Sequence, residues 1–184
     1  MRGTNKFYYG TVKSEFGEIV VVWRLTDNKI VRVFLPKQQS LFRSSEYESL
    51  GIGKIRNRRA VFLLRKISSL LKGHPVDFSL EVLDWRMTYR FQRRVLRMEY
   101  KIPRGWVSTY GRIAGKLGNA GAARAVGTAL SRNPFPLIVP CHRAVRSDGS
   151  LGGYAGGIAM KKRLLELEGI ESDGYGRVIN RRFW

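Results

Sequence analysis

Apolar positions in the first 35 residues fall in runs of strand length. Residues 7–12 are rich in β-formers, 15–18 read as a turn and 19–23 are continuously apolar. Residues 27–29 read as a second turn, and 30–35 alternate apolar with polar. Three such strands on short turns predict an antiparallel meander. Residues 36–53 are polar and predict loop with a short helix. From 55 to 71 the period becomes helical. Val61, Leu64, Ile67, Leu70 and Leu71 fall on one stripe, and Arg58, Arg59, Arg65 and Lys66 lie mostly off it. Gly73 stands at a C-cap position with Pro75 beyond it. Residues 78–83 predict one more short strand. A boundary near Asp84-Trp85 then divides the chain into residues 1–84 and 85–184.

The second part reads as helices. Residues 88–100 place Phe91, Val95, Leu96 and Met98 inward and a run of arginines outward, and Pro103 and Gly105 end the helix. Thr109 caps a short helix through Lys116, Leu117-Gly118-Asn119 is a turn, and residues 120–131 form a second helix. Residues 137–139 predict a buried strand after Asn133-Pro134 and Pro136. Asp148-Gly149 marks a hairpin turn within 144–151. Residues 152–157 form a tight glycine-rich loop, and 158–167 a last helix followed by Gly169.

Charge adds a partner to this outline. The chain of 184 residues carries 34 Lys+Arg against 14 Asp+Glu, a formal net charge of +20. Residues 1–84 hold 15 basic and 8 acidic groups, and residues 85–184 hold 19 and 6, so the second part carries the stronger positive field. Such a surface calls for a polyanion, nucleic acid first and an anionic membrane second. No apolar run approaches the roughly 18 residues of a membrane span, and the start of the chain has no apolar signal core. The single cysteine excludes an internal disulfide and a thiolate-rich zinc site, and with the rest predicts an intracellular, cytoplasmic protein.

Two features of the second part carry chemistry. The paired helices 109–116 and 120–131 make a helix-turn-helix candidate. The second helix is small-faced, with Ala122, Ala123, Ala125, Gly127, Thr128 and Ala129, so its backbone can approach a groove. Arg124 is the long side chain on its first turns, placed to hold a phosphate or to wedge into a base stack. The same small residues also suit close helix packing, and the residues alone weigh the two readings evenly. The second feature is Val139-Pro140-Cys141-His142-Arg143. A lone cysteine is more often inert core. Here His142 stands ready as a base, Arg143 adds positive potential that would lower the thiol pKa, and Pro140 fixes the backbone before the sulfur.

Pro140-Cys141-His142-Arg143 resembles the active-site signature of the O6-alkylguanine-DNA alkyltransferases. Arg124-Ala125-Val126-Gly127, Asn133-Pro134, Ile138-Val139-Pro140, the Gly-Tyr-Ala-Gly-Gly loop at 153–157 and Leu164-Leu165-Glu166-Leu167-Glu168-Gly169 follow in the family's order and spacing. The resemblance spans residues 91–170; the first 85 residues match in pattern only. It implies an α+β fold: a small antiparallel β-sheet N-terminal domain with a helix, then a helical C-terminal domain with a (winged) helix-turn-helix and an active-site loop. It further implies a DNA-repair protein, a single-turnover methylated-DNA–protein-cysteine S-methyltransferase. Its partner would be duplex DNA containing O6-alkylguanine, met as a monomer, without metal or organic cofactor and without a membrane.

The resemblance also implies roles. Cys141 would take the alkyl group as a thioether. His142 would remove the thiol proton through a water, and Glu168 would orient His142. Asn133 would brace the turn to the site, and Tyr110 would donate to the guanine ring. Arg124 would fill the gap left by the flipped nucleotide, with Ala123, Gly127 and Arg143 on the DNA side. Tyr154 would wall the pocket, and the backbone at Cys141, Ala144 and Ala155 would meet the base edge. Two departures stand out. Ala155 replaces a small hydroxyl residue, and residues 85–90 depart from the usual lead-in to the helix. Of the remaining residues, His74, Glu166 and the arginines at 56, 58 and 59 read as solvated, and Phe183-Trp184 as a tail docked on apolar surface. Two other readings remain at this point: a DNA-binding module with a structural cysteine, and a cysteine hydrolase.

Overall fold

Phe7–Ser14 (β1), Gly17–Arg24 (β2) and Ile30–Phe34 (β3) form an antiparallel sheet in the order β1-β2-β3. A computed structural model describes residues 7–43, 57–179 and 182–184. Within it the chain divides into two units, Met1–Met87 and Thr88–Trp184. No described helix is long and apolar enough to cross a membrane.

In the first unit, Ser14 pairs with Gly17 at the first turn, where Gly17 takes φ +110°. The register then places Val12 opposite Ile19 and Tyr8 opposite Trp23, whose rings stack at 5.5 Å. All of Ile19–Trp23 is buried, which explains an unbroken apolar run where a strand with one wet face would alternate. One sheet face packs Val20, Val22, Val31 and Phe34 with Phe42 of a short helix, Gln39–Arg43 (α1). The longer helix Arg58–Leu71 (α2) packs against β1 and is N-capped by Asn57, which accepts from the Arg59 N–H.

The helical stripe differs at two positions from the predicted one. Ala60, Leu63, Ile67, Leu70 and Leu71 are buried, whereas Val61 is exposed and Leu64 half-buried. Asn57 fixes where the helix begins, and the first turns bury Ala60 and Leu63 in place of Val61 and Leu64. Arg56 and the start of the predicted helix lie outside the described residues. Residues 78–83 are not a strand. Ser79 caps a 3-10 turn at Leu80–Val82, and only Leu83 bridges to Ile30. The unit ends at Met87 rather than Asp84, because the next turn is tied back into it. Trp85 Nε1 donates to the Leu80 carbonyl at 3.2 Å. Asp84 is buried and pairs with Arg24 and with Arg86 at 2.7 Å, and Arg86 also reaches Asp27 at 2.9 Å.

The second unit begins with Arg90–Tyr100 (α3). Ser108–Thr109 (β4) then leads into Tyr110–Lys116 (α4), followed by Ala123–Ser131 (α5). Ala144–Val145 (β5) pairs in parallel with β4, and Ile158–Leu167 (α6) follows the glycine-rich loop. Its core includes Val107, Val145, Leu151, Leu165, Ile170 and Val178, with Phe183 of the tail packed on it. Two polar residues lie on the buried face of α3, where Phe91 and Met98 were expected: Gln92 and Glu99. Gln92 Nε2 donates to the carbonyls of Ala129 and Arg132 at 3.0 and 2.9 Å. It thereby satisfies acceptors that the last turn of α5 cannot satisfy itself, a contribution of about 1 kcal/mol per bond.

Candidate active site

The α4–α5 pair is the helix-turn-helix expected from the sequence. Thr109 caps α4 by accepting from the Arg112 N–H at 3.1 Å, worth about 1 kcal/mol, and so fixes Tyr110 at the first position of the helix. Gly118, at φ +86°, turns the chain toward α5. Val126, Ala129 and Leu130 of α5 face the core, while Arg124 and Ala125 are exposed and Ala123 and Gly127 half-buried. Arg124 thus projects from the first turn of a helix whose outer face is otherwise short-chained.

Beyond α5 the backbone is held by Asn133. Its Oδ1 accepts from the Phe135 N–H at 2.9 Å, and its Nδ2 donates to the Val139 carbonyl and to Cys141 Sγ, both at 3.2 Å. Residues 137–139 are buried, but as a turn and not as the predicted strand. Leu137 adopts φ +71°, and the Val139 N–H returns to the Phe135 carbonyl at 2.9 Å. Asn133 thus holds the two ends of this turn, the Phe135 N–H and the Val139 carbonyl. Cys141 opens a 3-10 turn, Cys141–Arg143, directly after Pro140.

His142 has no exposed surface, and its Nε2 lies 2.9 Å from Glu168 Oε1. Arg143 Nε and Nη2 donate to the same carboxylate at 2.9 and 2.8 Å, and Nη1 donates to the Ile102 carbonyl at 2.6 Å. Burial alone would raise the Glu168 carboxyl. His142 and Arg143 outweigh it and hold the group well below the usual carboxylate range. Burial lowers the His142 ring, and Glu168 restores it only in part. The ring is therefore neutral at neutral pH. Because an ionised carboxylate only accepts, Nε2 carries the hydrogen, and Nδ1 is left as the base. Nδ1 is buried and has no hydrogen-bond partner.

Cys141 is 8% exposed and lines a pocket of about 300 Å³ with Tyr110, Gly127, Leu130, Ser131, Gly153, Tyr154 and Ala155. That volume matches small ligand sites, which begin at about 300 Å³. Gly152 sits at φ +67°, and a Cβ there would come within 2.8 Å of the Tyr110 hydroxyl, so the loop can close over Tyr110 only with glycine. Burial raises both Tyr110 and Tyr154, which keeps their hydroxyls protonated, and Tyr154 Oη is buried without a partner.

Two expectations are corrected by these positions. Burial pushes the Cys141 thiol up to about 11 against the pull of the Asn133 N–H, so neighbouring charge does not make it a resting thiolate. Arg143 does not face DNA. Its guanidinium turns inward onto Glu168 and Ile102, where a bidentate carboxylate outcompetes solvent. Ala144 lies in β5, fully buried, with its carbonyl accepting from Lys161 Nζ at 2.5 Å. The Cys141 N–H likewise donates to the Val139 carbonyl at 2.8 Å. Cys141 and Ala155 both line the pocket.

Lys161 was not foreseen. It has no exposed surface and anchors the Ala144 and Leu151 carbonyls from α6. Its sequence signal is faint: an ionic residue on the i, i+3, i+4 stripe of Met160, Leu164 and Leu165. Phe183 and Trp184 were expected to dock on apolar surface. Phe183 does pack on the core, while Arg112 and Lys116 lie over the Phe183 and Trp184 rings at 5.3 and 4.2 Å.

Residues 90–170 match the family described as 6-O-methylguanine DNA methyltransferase, DNA binding domain. A methylated-DNA–protein-cysteine methyltransferase of Methanothermobacter thermautotrophicus is 42% identical over 157 residues, 85% of this chain and 82% of that protein. One from Metallosphaera sedula is 39% identical over 161 residues, 88% of this chain and 92% of its own. Among solved structures, Mycobacterium tuberculosis OGT in complex with DNA superposes with a TM-score of 0.73 at 34% identity, covering 88% of this chain and 92% of that one.

Proposed function

The chain belongs to the methylated-DNA–protein-cysteine methyltransferases, and on that premise we propose that it repairs duplex DNA by moving the alkyl group of O6-alkylguanine onto Cys141. The observation that carries this reading is the arrangement in which the one sulfur lines a base-sized pocket while the buried His142–Glu168 pair stands behind it. The protein works in the cytoplasm, on chromosomal DNA.

The resting thiol is neutral and quiet. When the alkyl carbon is in line, His142 Nδ1 takes the thiol proton through a water, and Glu168 stabilises the imidazolium that forms. The S–C bond forms as the C–O6 bond breaks, and the electron pair passes to the purine. Tyr110, a neutral hydroxyl beside the pocket, donates to the ring as charge develops on it. Tyr154 walls the base, and Asn133 holds the sulfur in place. A thioether is a poor leaving group, so each chain acts once. With excess duplex holding one O6-methylguanine, transfer should stop at one methyl per chain; continued turnover would instead indicate the hydrolase reading.

O6 is inside the duplex, so the nucleotide must rotate out, at a cost of a few kcal/mol. Arg124, exposed on the first turn of α5, enters the vacated space. Arg124→Ala should slow transfer from duplex about tenfold or more, roughly 1.4 kcal/mol of that cost, and leave transfer from the free base unchanged. Single-turnover rates on both substrates measure this. Equal slowing on the two removes Arg124 from the stack.

A further inference from the structure

Glu99 is a buried acid that the mechanism above does not use. It lies on the core face of α3 with no exposed surface, and neither carboxyl oxygen has a hydrogen-bond partner. An ionised carboxylate in that position loses its hydration and gains no donor in return, which costs several kcal/mol, so such a group keeps its proton instead.

The elements packed on α3 identify what its charge would disturb. The Cys141–Arg143 turn brings Cys141 and Arg143 and α4 brings Tyr110, and the buried Lys161 of α6 acts on Glu99 through its charge. The buried residues of α5 are Val126, Ala129 and Leu130, which are apolar. Negative charge on Glu99 would raise both the Cys141 thiol and the Tyr110 hydroxyl. Those are the two groups beside which anionic charge must develop, on sulfur and then on the purine. With Glu99 neutral, the positive charge of Lys161 is unopposed and favours the thiolate.

We propose that Glu99 stays protonated beneath the thiol pocket during alkyl transfer and that its ionisation switches the pocket off, setting the alkaline limit of the reaction. This rests on the functional reading above. Glu99 makes no hydrogen bond to the sulfur and does not line the pocket, so it is a positioning residue, acting through the charge it withholds. Across the transfer step its proton is conserved. The S–H proton goes to His142, the S–C bond replaces the C–O6 bond, and the purine takes up the proton that neutralises it. Burial holds the Glu99 carboxyl up at about 8 against the opposing pull of Lys161 and Arg143, which puts the switch within reach of cellular pH. Lys161 is itself lowered to about 8 by burial, and a proton lost by this pair belongs to both groups until one is substituted.

Two measurements on the full chain test the proposal. Infrared difference spectra of the native protein should show a protonated-carboxyl carbonyl band below about pH 8 that vanishes above it, and Glu99→Gln should lack the band. Single-turnover methyl transfer from a duplex holding O6-methylguanine should fall in the native chain as pH rises through that value. Glu99→Gln should match the native rate on the acid side and exceed it about tenfold on the alkaline side, because the charge that raises the thiol is gone. An alkaline fall that persists unchanged in Glu99→Gln, as one carried by Lys161 alone would, overturns the proposal. So does the absence of the band in the native chain, a result that needs no variant to fold. If the native chain transfers no methyl at any pH, the functional reading fails instead, and the band still decides the state of Glu99.

Discussion

Cys141→Ala is expected to abolish alkyl transfer completely while leaving damaged duplex bound. The sulfur is the only thiol in the chain and the one soft nucleophile on the pocket wall. Removing it leaves the rest of the site in place. Asn133 keeps its bonds to the Phe135 N–H and the Val139 carbonyl, so the turn that presents residue 141 persists. Tyr110, Tyr154, Gly127 and Ala155 still line the cavity, and Arg124 still stands on α5. The loss of one small buried atom costs about 1 kcal/mol, too little to unfold a typical domain. Gel-shift binding and methyl transfer measured on one preparation separate the readings. If the cysteine were merely structural, the variant would keep every activity of the native chain.

Glu168→Ala is expected to cost both stability and activity. Its carboxylate is 3% exposed and is shared by His142 at 2.9 Å and Arg143 at 2.8 Å. Removing it leaves a buried guanidinium with the Ile102 carbonyl alone and a buried imidazole with none of its present partners. Breaking a buried pair in this way costs about 3–5 kcal/mol, a large share of a typical domain's 5–15. Transfer should fall with it, because the imidazolium that forms on proton removal loses its counter-charge. The pH dependence has a definite sign. Glu168 and His142 are both lowered in the folded chain, so each contributes stability above its unfolded value that is lost as pH falls. The loss begins with His142 below about 6.5 and continues with Glu168 below about 4.3. Urea unfolding at neutral and acid pH should show the variant weaker at neutral pH and the gap narrowing toward acid. A variant as stable as the native chain at neutral pH contradicts the role given to this carboxylate.

The helix-turn-helix, the meander and the thiol turn were legible because each has a local signal. Thr109 caps α4, Gly118 turns the chain, Pro140 precedes Cys141, and the strands announce themselves by apolar runs between turns. The less legible parts depend on tertiary partners. Nothing in residues 90–100 marks Gln92 as the residue that satisfies the end of α5, or Glu99 as buried beside the thiol. Both interrupt an apolar stripe, and polar letters on a helix ordinarily point to water. Arg143 read as a cation for the thiol or for DNA because its neighbour in sequence is His142; its partner, Glu168, is 25 residues away. Leu137-Ile138-Val139 has the composition of a strand, yet Leu137 turns to positive φ and Asn133 takes the Val139 carbonyl. On α2 the last turns followed the apolar stripe, with Ile67, Leu70 and Leu71 buried, while the first turns buried Ala60 and Leu63.

The sharpest measurement on this protein is peptide-resolved mass spectrometry after exposure to duplex DNA carrying a single O6-methylguanine. The native chain should gain the mass of one methyl group, confined to the peptide containing Cys141 and matched by restored guanine in the DNA. A repaired duplex with that peptide unchanged, or a methyl group on any other residue, would contradict the assignment of Cys141 as the acceptor.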